Sequence, residues 1–502
     1  MHPVVHTRYG SVRGTLGPSG IAAFKGVPYA IPPLGELRFR PPLPPRPWNG
    51  VRDAVDYGPT APKSPYAPPF DQLIPEVDIP GEDFLNLNVW TPDPAGRLPV
   101  MVWLHGGAFA NGSGSAPCYD GTAFARDGVV LVTLNYRLGV EGFLHLATDH
   151  SEATANLGLL DQIAALEWVR DNIGGFGGDP EAVTVFGESA GAMSIGTLLA
   201  MPAARGLFHR AVLQSGAAHH TLSPTSAALV GNRLAQILGV PPTRAAIGEV
   251  PPKRLLPAQQ RLRAEISARP DPRLWGEAVH NLMPFEPVVD GRTLPTPPVD
   301  AIDAGAAAGI DVLVGTNRDE YRLFLVPTGM SALVGEEMLE RAATGYGLKP
   351  VEGVAAYRAA FEEASPGLLL AEIATDWFYR IPALRLADAQ SRHGARAYVY
   401  EFAWQPPTFD GQLGACHASE LPFVFDALDD PAFVGLLGPH PPQQVADAMH
   451  AAWVAFATAG DPGWPRYDAD RPVMRFGGAT GFPAAVETDP RGALRTSWDG
   501  VR

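Results

Sequence analysis

Short runs of apolar residues, each bounded by glycine or polar residues, recur along the chain. These runs are apolar on both faces, which is typical of strands buried in a parallel sheet. Six of them are predicted strands: Val100–Leu104, Val129–Leu134, Val183–Phe186, Ala211–Leu213, Val312–Val314 and Ala397–Phe402.

Helical periodicity separates several of the predicted strands. Apolar residues recur every three or four positions, on one helix face, at Leu159, Ile163, Leu166, Val169 and Ile173. Further helices are predicted over residues 192–200, 227–238 and 446–458. Strands that alternate with helices predict an α/β protein with a mostly parallel central sheet flanked by helices.

One stretch of the chain, from about residue 221 to about residue 308, departs from this alternation. It contains helical patches and several proline pairs but no buried strand pattern. We interpret it as a cap or insertion segment over the sheet, because such segments often form the substrate pocket. The 54 glycines and 52 prolines are spread along the chain rather than collected in a linker, so residues 1–502 are expected to form a single domain.

Composition excludes several classes of function. The 502 residues carry 38 basic and 53 acidic side chains, a formal net charge of −15, and no basic stripe of the kind that nucleic-acid binding requires. No apolar stretch approaches the roughly 20 residues that span a bilayer, and no signal peptide is expected at the N-terminus. Cys118 and Cys416 are too few and too far apart for a disulfide scaffold or a metal cluster, so we expect free thiols and a cytoplasmic location.

A candidate nucleophile stands in Gly187-Glu188-Ser189-Ala190-Gly191, between the predicted strand Val183–Phe186 and the helix that follows. The pattern G-x-S-x-G forms a sharp strand-to-helix turn that holds the central serine in strained backbone geometry at the end of a sheet. The serine hydroxyl then lies beside the positive end of a helix. Ser189 is therefore the predicted nucleophile.

A second glycine-rich motif, His105-Gly106-Gly107-Ala108-Phe109, directly follows the predicted strand Val100–Leu104. A serine nucleophile produces a tetrahedral oxyanion, and stabilising that oxyanion needs N–H donors held in place before the reaction. The backbone amides of Gly107, Ala108 and Ala190 are the candidate donors of this oxyanion hole.

With further motifs, the chain resembles the type-B carboxylesterases of the α/β-hydrolase fold, a family that includes bacterial para-nitrobenzyl esterases, animal carboxylesterases and cholinesterases. The resemblance covers nearly the whole chain. Besides the two motifs above, it rests on the segments Phe24–Ala30, Pro32–Gly35, Leu37–Phe39, Glu82–Asn88, Asn135–Arg137, Asn156–Gln162 and Phe176–Pro180.

The resemblance implies the two other members of a catalytic triad. It assigns the acid to Glu320 and the base to His417, each by the motif around it. The chain order Ser189, Glu320, His417 is the order of nucleophile, acid and base in this fold. Asp319 stays open as an alternative acid, because it is the immediate neighbour of Glu320.

Other residues near these motifs are candidates for the pocket or for supporting the triad. Phe109 and Met193 flank the reaction centre in the sequence and are candidates for the acyl or alcohol pocket. Glu188 either adjusts the proton affinity of the base or has a structural role, and Ser215 either supports the triad or only ends a strand. The pair His219-His220 either lines the pocket or lies in a plain loop.

The resemblance also implies features that carry no chemistry. It implies two structural ion pairs, Arg38 with Glu82 and Arg137 with Asp161. Phe84 stands where many secreted members have a cysteine, so their early disulfide is absent. Residues 64–79 lack the tryptophan with which cholinesterases hold a quaternary ammonium, so a choline ester is not the expected substrate.

The sequence therefore predicts a bacterial-type serine carboxylesterase that uses no metal and no organic cofactor. The expected partner is a small-molecule ester with a short acyl or aromatic portion, of the p-nitrobenzyl or p-nitrophenyl type. Nucleic acids and membranes are not expected partners, and both a monomer and a homodimer stay open. Two alternatives also stay open: a hydrolase of the same mechanism specialised for carbamates, amides, polyester fragments or a natural-product ester, and a non-catalytic binding protein on the same fold.

Overall fold

The structure is a computed structural model that describes residues 2–147, 155–349, 351–478 and 483–501. Contacts between Cα atoms divide the chain into two compact units. Unit 1 comprises Met1–Tyr66, Glu76–Val212 and Ala218–Ile310, and unit 2 comprises Ala67–Pro75, Leu213–Ala217 and Asp311–Arg502. The single domain over residues 1–502 stays a prediction.

The described residues form strands and α-helices in the following order. The strands are β1 (Val4–Thr7), β2 (Gly10–Arg13), β3 (Thr15–Leu16), β4 (Ala22–Pro28), β5 (Val51–Asp53), β6 (Asn86–Thr91), β7 (Leu98–Leu104), β8 (Val130–Leu134), β9 (Gly178–Glu188), β10 (Arg210–Gln214), β11 (Asp311–Asn317), β12 (Ala397–Phe402), β13 (Pro472–Phe476) and β14 (Ala484–Thr488). The helices are α1 (Thr122–Arg126), α2 (Gly139–Phe143), α3 (Leu157–Asn172), α4 (Ala190–Leu198), α5 (Pro224–Leu238), α6 (Arg244–Gly248), α7 (Pro252–Ala268), α8 (Pro272–Trp275), α9 (Ala278–Asn281), α10 (Pro298–Asp303), α11 (Arg322–Leu325), α12 (Met330–Leu333), α13 (Glu336–Gly345), α14 (Glu352–Ala360), α15 (Pro366–Thr375), α16 (Ile381–Arg392), α17 (Leu421–Val424), α18 (Val434–Leu437), α19 (Gln443–Ala459) and α20 (Gly492–Thr496). Within the part of the chain that the structure describes, no helix combines the length and the apolar character needed to cross a membrane.

The main sheet of unit 1 is built on the buried apolar strands β7, β8 and β9. Its strand order is β3-β4-β6-β8-β7-β9, with parallel pairing of β7 to β8 and to β9 and antiparallel pairing elsewhere. Helix α1 packs against β8, and helices α3 and α4 pack against β9. The three central strands confirm the predictions over residues 100–104, 129–134 and 183–186, and the antiparallel strands lie to one side of them.

Unit 2 contains a second run of strands in the order β11-β12-β13-β14. The first two pairs are parallel and the last pair is antiparallel. Helix α16 packs against β11 and β12, and helix α19 packs against β13. Strands β11 and β12 confirm the predictions over residues 312–314 and 397–402, and strand β10 confirms the prediction over residues 211–213.

The predicted helices are present, with small shifts at their ends. Helix α3 buries the predicted apolar face, and α5 and α19 contain the helices predicted over residues 227–238 and 446–458. Helix α4 begins at Ala190 rather than at residue 192, because the turn at Ser189 leads directly into it. The segment 221–308 contains helices α5 to α10, and its one β-type contact is an isolated bridge between Leu222 and Val288.

One of the two implied ion pairs is present and the other is wrong. Arg137 and Asp161 form a buried bidentate pair with two nitrogen–oxygen distances of 2.7 Å. Arg38 instead pairs with Glu141 of α2, at 2.9 Å from its Nε. The side chain of Glu82 is exposed, so it does not supply the carboxylate that the half-buried guanidinium of Arg38 needs.

Neither Cys118 nor Cys416 forms a disulfide, as the sequence predicts, and both side chains are buried.

Candidate active site

Ser189 lies in the tight turn between β9 and α4. Its backbone has φ 54° and ψ −122°, a conformation that residues other than glycine adopt at a cost of about 1–3 kcal/mol. The turn needs glycine at Gly191, because a Cβ there would lie 1.9 Å from the carbonyl oxygen of Leu104. Ser189 is half-buried, whereas Ala190 after it is fully buried. This is the predicted strand-to-helix elbow, with its serine at the N-terminus of α4.

The glycine-rich motif after β7 lies against this elbow. Strands β7 and β9 are parallel neighbours in which Leu104 pairs with Gly187, so the residues after both strands emerge at the same edge of the sheet. A Cβ on Gly106 would lie 2.5 Å from Oε2 of Glu188 and 3.1 Å from Cβ of Ser189. Only a glycine at position 106 lets the two segments approach this closely.

The turn that follows has unusual backbone geometry and N–H groups without an acceptor. Gly107, Ala108 and Phe109 have φ of 113°, 53° and 57°. The carbonyl oxygen of Gly107 accepts the N–H of Asn111 at 2.9 Å, which closes the turn. Among the described residues, no acceptor takes the backbone N–H of Gly107, Ala108 or Ala190. The three predicted oxyanion-hole donors therefore lie in two touching segments of unit 1 with their N–H groups available.

His105, the first residue of the motif, is buried beneath this turn. Its ring stacks on Tyr136 with 4.4 Å between the ring centroids, and its Nδ1 lies 2.8 Å from the carbonyl oxygen of Gly106. The Tyr136 hydroxyl donates a hydrogen bond of 2.8 Å to the carbonyl oxygen of His105. Burial lowers the pKa of His105 to about 3, and the positive charge of Lys63 acts in the same direction. His105 is therefore a neutral support of the turn.

Replacing His105 by asparagine is expected to flatten the pH dependence of stability. The unfolded state binds a proton at this histidine below about pH 6.5 and the native state does so only near pH 3, so stability falls as the pH drops through this range. From pH 7 to pH 5 this one group accounts for about 2 kcal/mol of lost unfolding free energy. Denaturant unfolding at both pH values measures the difference. His440→Asn, at an exposed histidine, is the matched control, and an unchanged pH dependence in His105→Asn would refute the prediction.

The predicted base and acid are joined in unit 2. Nδ1 of His417 lies 2.7 Å from Oε2 of Glu320, and the backbone N–H of His417 donates to the carbonyl oxygen of Glu320 at 3.1 Å. The other oxygen of Glu320, Oε1, accepts the backbone N–H of Asn317 at 2.8 Å. Glu320 is completely buried and His417 nearly so. The carboxylate thus holds one ring nitrogen of the imidazole in a fixed direction.

Asp319, the alternative acid, is engaged elsewhere. Its Oδ2 accepts the backbone N–H of Ala415 at 2.8 Å, and its two oxygens pair with Arg318 at 3.1 Å and Arg322 at 3.0 Å. Asp319 therefore fixes the segment before His417 through Ala415, whereas Glu320 is the acid that contacts the imidazole.

Two aromatic rings of unit 2 lie beside the imidazole of His417, and neither was predicted. The ring centroids of Tyr379 and Phe324 lie 4.8 Å and 5.5 Å from that of His417. Tyr379 belongs to a π-helical turn, Asp376–Arg380, that connects α15 to α16, and such turns occur frequently at functional sites. The sequence contained a usable pattern, because Tyr321 and Phe324 follow Glu320 at one and four residues.

The other candidate residues have mixed outcomes. Phe109 is completely buried, with its ring 5.0 Å from that of Phe143, and Met193 is buried one turn into α4. Ser215 is buried with φ 52° and donates its N–H to the carbonyl oxygen of Gly315. The pair His219-His220 lies buried in a loop. The burial of these residues is consistent with a packing role as well as with substrate contact. Glu188 lies beside Gly106 and so contacts the glycine-rich motif.

The chain is similar to known proteins over nearly its whole length. The profile of the carboxylesterase family matches residues 1–480. A para-nitrobenzyl esterase of Bacillus subtilis (strain 168) is 42% identical over 483 residues, which cover 93% of each chain. A phenmedipham hydrolase of Pseudarthrobacter oxydans is 36% identical over 502 residues, which cover 96% of each chain. The crystal structure of a carboxylesterase of Geobacillus stearothermophilus at pH 6.2 is 40% identical, with a TM-score of 0.85 and 99% of each chain covered.

Proposed function

The chain belongs to the carboxylesterase family and is a carboxylic ester hydrolase of the α/β-hydrolase fold, and we propose that Ser189, His417 and Glu320 are its catalytic triad. The observation that carries the proposal is the strained backbone of Ser189 between β9 and α4. Strain of this kind is concentrated at active sites, where it is part of the mechanism. The hydrogen bond between Glu320 and His417 supports the assignment of acid and base.

In the first half of the reaction, Nε2 of His417 takes the proton of the Ser189 hydroxyl as the serine oxygen attacks the ester carbonyl carbon. Glu320 accepts the hydrogen bond from Nδ1 and stabilises the imidazolium that forms. The carbonyl oxygen becomes an oxyanion, which the N–H groups of Gly107, Ala108 and Ala190 are proposed to stabilise. The carbon–oxygen bond to the alcohol breaks, His417 protonates the leaving alcohol, and an acyl-enzyme remains.

In the second half, water replaces the alcohol. His417 removes a proton from the water as its oxygen attacks the acyl carbon, and the same N–H groups receive the second oxyanion. Collapse of this intermediate breaks the bond to the Ser189 oxygen, which regains a proton from His417. One difficult hydrolysis is thereby divided into two easier steps.

The proposed substrates are esters with a short acyl or aromatic portion, including those of p-nitrobenzyl and p-nitrophenyl type. The similarity to a para-nitrobenzyl esterase supports this class. The similarity to a phenmedipham hydrolase supports a second candidate, a specialised hydrolase of the same mechanism. Carbamates, amides, polyester fragments and natural-product esters belong to the same alternative. The similarity to two enzymes, a para-nitrobenzyl esterase and a phenmedipham hydrolase, argues against a non-catalytic binding protein.

A panel of p-nitrophenyl esters with acyl chains of increasing length, p-nitrobenzyl acetate and phenmedipham tests the substrate class. We expect kcat/KM to be highest for a short or aromatic acyl group, because the acyl portion must fit beside the oxyanion-hole turn. Release of nitrophenol or of the alcohol measures each rate. If phenmedipham is hydrolysed faster than every simple ester, the second candidate is correct instead.

We also propose a cytoplasmic location. It is supported by Cys118 and Cys416, neither of which forms a disulfide, together with Phe84 in place of the family's early cysteine.

A further inference from the structure

Within unit 1, residues 60–66 and 76–79 are joined by hydrogen bonds between Thr60 and Ile79. The backbone N–H of Thr60 donates to the carbonyl oxygen of Ile79 at 2.9 Å, and the N–H of Ile79 donates to Oγ1 of Thr60 at 3.1 Å. Between them in the sequence lie two charged residues of opposite sign, Lys63 and Glu76. Neither of them takes part in the proposed chemistry.

The carboxylate of Glu76 reaches the oxyanion-hole turn. Its Oε2 accepts a hydrogen bond of 2.8 Å from Nδ2 of Asn111, and its Oε1 accepts the backbone N–H of Gly112 at 3.3 Å. Asn111 donates its own N–H to Gly107, and a Cβ on Gly112 would lie 2.3 Å from the carbonyl oxygen of Gly106. Glu76 therefore binds the two residues, Asn111 and Gly112, that contact the glycines at the start of the turn.

Lys63 holds this carboxylate from the other side. The Lys63 side chain is 1% exposed, and its Nζ lies 3.9 Å from Oε1 of Glu76 and donates to Oγ1 of Thr60 at 3.0 Å. Burial raises the pKa of Glu76 and lowers the pKa of Lys63, while the attraction between the two charges opposes both shifts. A buried pair of this kind is costly unless hydrogen bonds satisfy it, and here Asn111 and Gly112 provide those bonds.

The turn needs such outside support because its own backbone is strained. Ala108 and Phe109 have positive φ without being glycine, and Gly107 and Gly112 have φ of 113° and 89°. A segment with a strained backbone keeps its conformation only when several contacts with the surrounding structure hold it there. Oxyanion donors also lose much of their effect when they are displaced by a fraction of an ångström.

We propose that Glu76, held by Lys63, is a positioning residue that fixes the oxyanion-hole turn through Asn111 and Gly112. The inference rests on the proposed function, because it assumes that the N–H groups of Gly107 and Ala108 meet the oxyanion. Glu76 contacts neither the substrate nor the reacting atoms, and it acts through the geometry of the turn.

The variant Glu76→Gln tests this role, because an NH₂ donor replaces one of the two carboxylate oxygens and then faces the donor of Asn111 or of Gly112. We expect kcat to fall about 10- to 100-fold with KM changed by less than about threefold. The affinity for an alkyl trifluoromethyl ketone, which forms an oxyanion adduct with a serine nucleophile, is expected to weaken by the same factor as kcat/KM. Circular dichroism and thermal unfolding show whether the variant is folded.

Asp71→Asn is the matched control, because Asp71 lies between Lys63 and Glu76 in the sequence and its side chain is exposed. This variant is expected to keep kcat and ketone affinity within about twofold. If Glu76→Gln does not fold, Asn111→Ala removes the other side of the same hydrogen bond, together with the bond from Nδ2 to the carbonyl oxygen of Ser64, and is expected to lower kcat and ketone affinity together. If both single variants fold, the double variant is expected to lose less than the product of the two single losses.

Two results would overturn the inference while leaving the proposed function intact. One is a raised KM with unchanged kcat and ketone affinity, which would make Glu76 a determinant of substrate access. The other is no change in any of the three quantities. If instead the unmodified enzyme fails to bind the ketone, or Ser189→Ala binds it equally well, the proposed function itself fails and this inference fails with it.

Discussion

Replacing Ser189 by alanine is expected to lower kcat by roughly 10⁶ and to leave the fold intact. Alanine has no oxygen to attack the ester carbonyl, so the acyl-enzyme cannot form, and only the binding and oxyanion contributions remain. The side chain of Ser189 accepts no capping hydrogen bond from α4, so its loss removes no support from that helix. Hydrolysis of p-nitrophenyl acetate measures the rate, and circular dichroism checks the fold.

Covalent labelling gives an independent measure of the same assignment. A fluorophosphonate is expected to add one label per chain to the unmodified enzyme and none to Ser189→Ala, as measured by mass spectrometry. Ser19→Ala, at an exposed serine, is the matched control and is expected to keep full activity and full labelling. Retention of even a tenth of the activity in Ser189→Ala would mean that another residue is the nucleophile.

Replacing Glu320 by glutamine is expected to lower kcat by about 10⁴. The glutamine side chain is the same size but neutral, so it cannot stabilise the imidazolium of His417. It can also present its NH₂ group to Nδ1, which favours the wrong tautomer of the ring. KM should change little, because Glu320 is completely buried and contacts no substrate. Steady-state kinetics on p-nitrophenyl acetate measures both constants.

Asp319→Asn decides between the two adjacent acids. Asp319 binds Arg318, Arg322 and the N–H of Ala415, so its loss is expected to lower stability, with kcat of the folded enzyme reduced by less than about tenfold. Thermal unfolding separates the stability effect from the rate. A loss of kcat in Asp319→Asn equal to that in Glu320→Gln would transfer the role of the acid to Asp319.

The strands that position the nucleophile were predictable, whereas several of their neighbours were not. Strands β7 and β8 are apolar on both faces, so their pattern alone identifies them. Strand β6 is completely buried too, yet it contains Asn86 and Asn88. Asn88 donates to Oγ1 of Thr133 at 2.9 Å, and Asn86 donates to the carbonyl oxygen of Pro59 at 2.8 Å. A hydrophobicity pattern treats every polar residue as exposed, so it cannot identify a polar residue that is buried together with its hydrogen-bond partner.

The two implied ion pairs also show that the sequence alone does not decide which distant residues meet. The resemblance implied Arg137 with Asp161, which the structure contains, and Arg38 with Glu82, which it does not. Which acid meets Arg38 depends on how the segments after β4 and β8 pack, and the spacing of residues along the chain does not contain that information.

The sequence by itself determined the order of strands and helices around Ser189 and the two glycine-rich turns, because these depend on local periodicity and on glycines where a Cβ would collide. It also narrowed the acid to two neighbouring residues. Only the tertiary structure placed Glu320 rather than Asp319 against His417, brought the Tyr379 ring beside the imidazole and brought Glu76 to the turn at Gly112. Each of these three contacts joins residues that are far apart in the sequence. Packing between distant segments sets the direction in which each side chain points, and the local sequence does not.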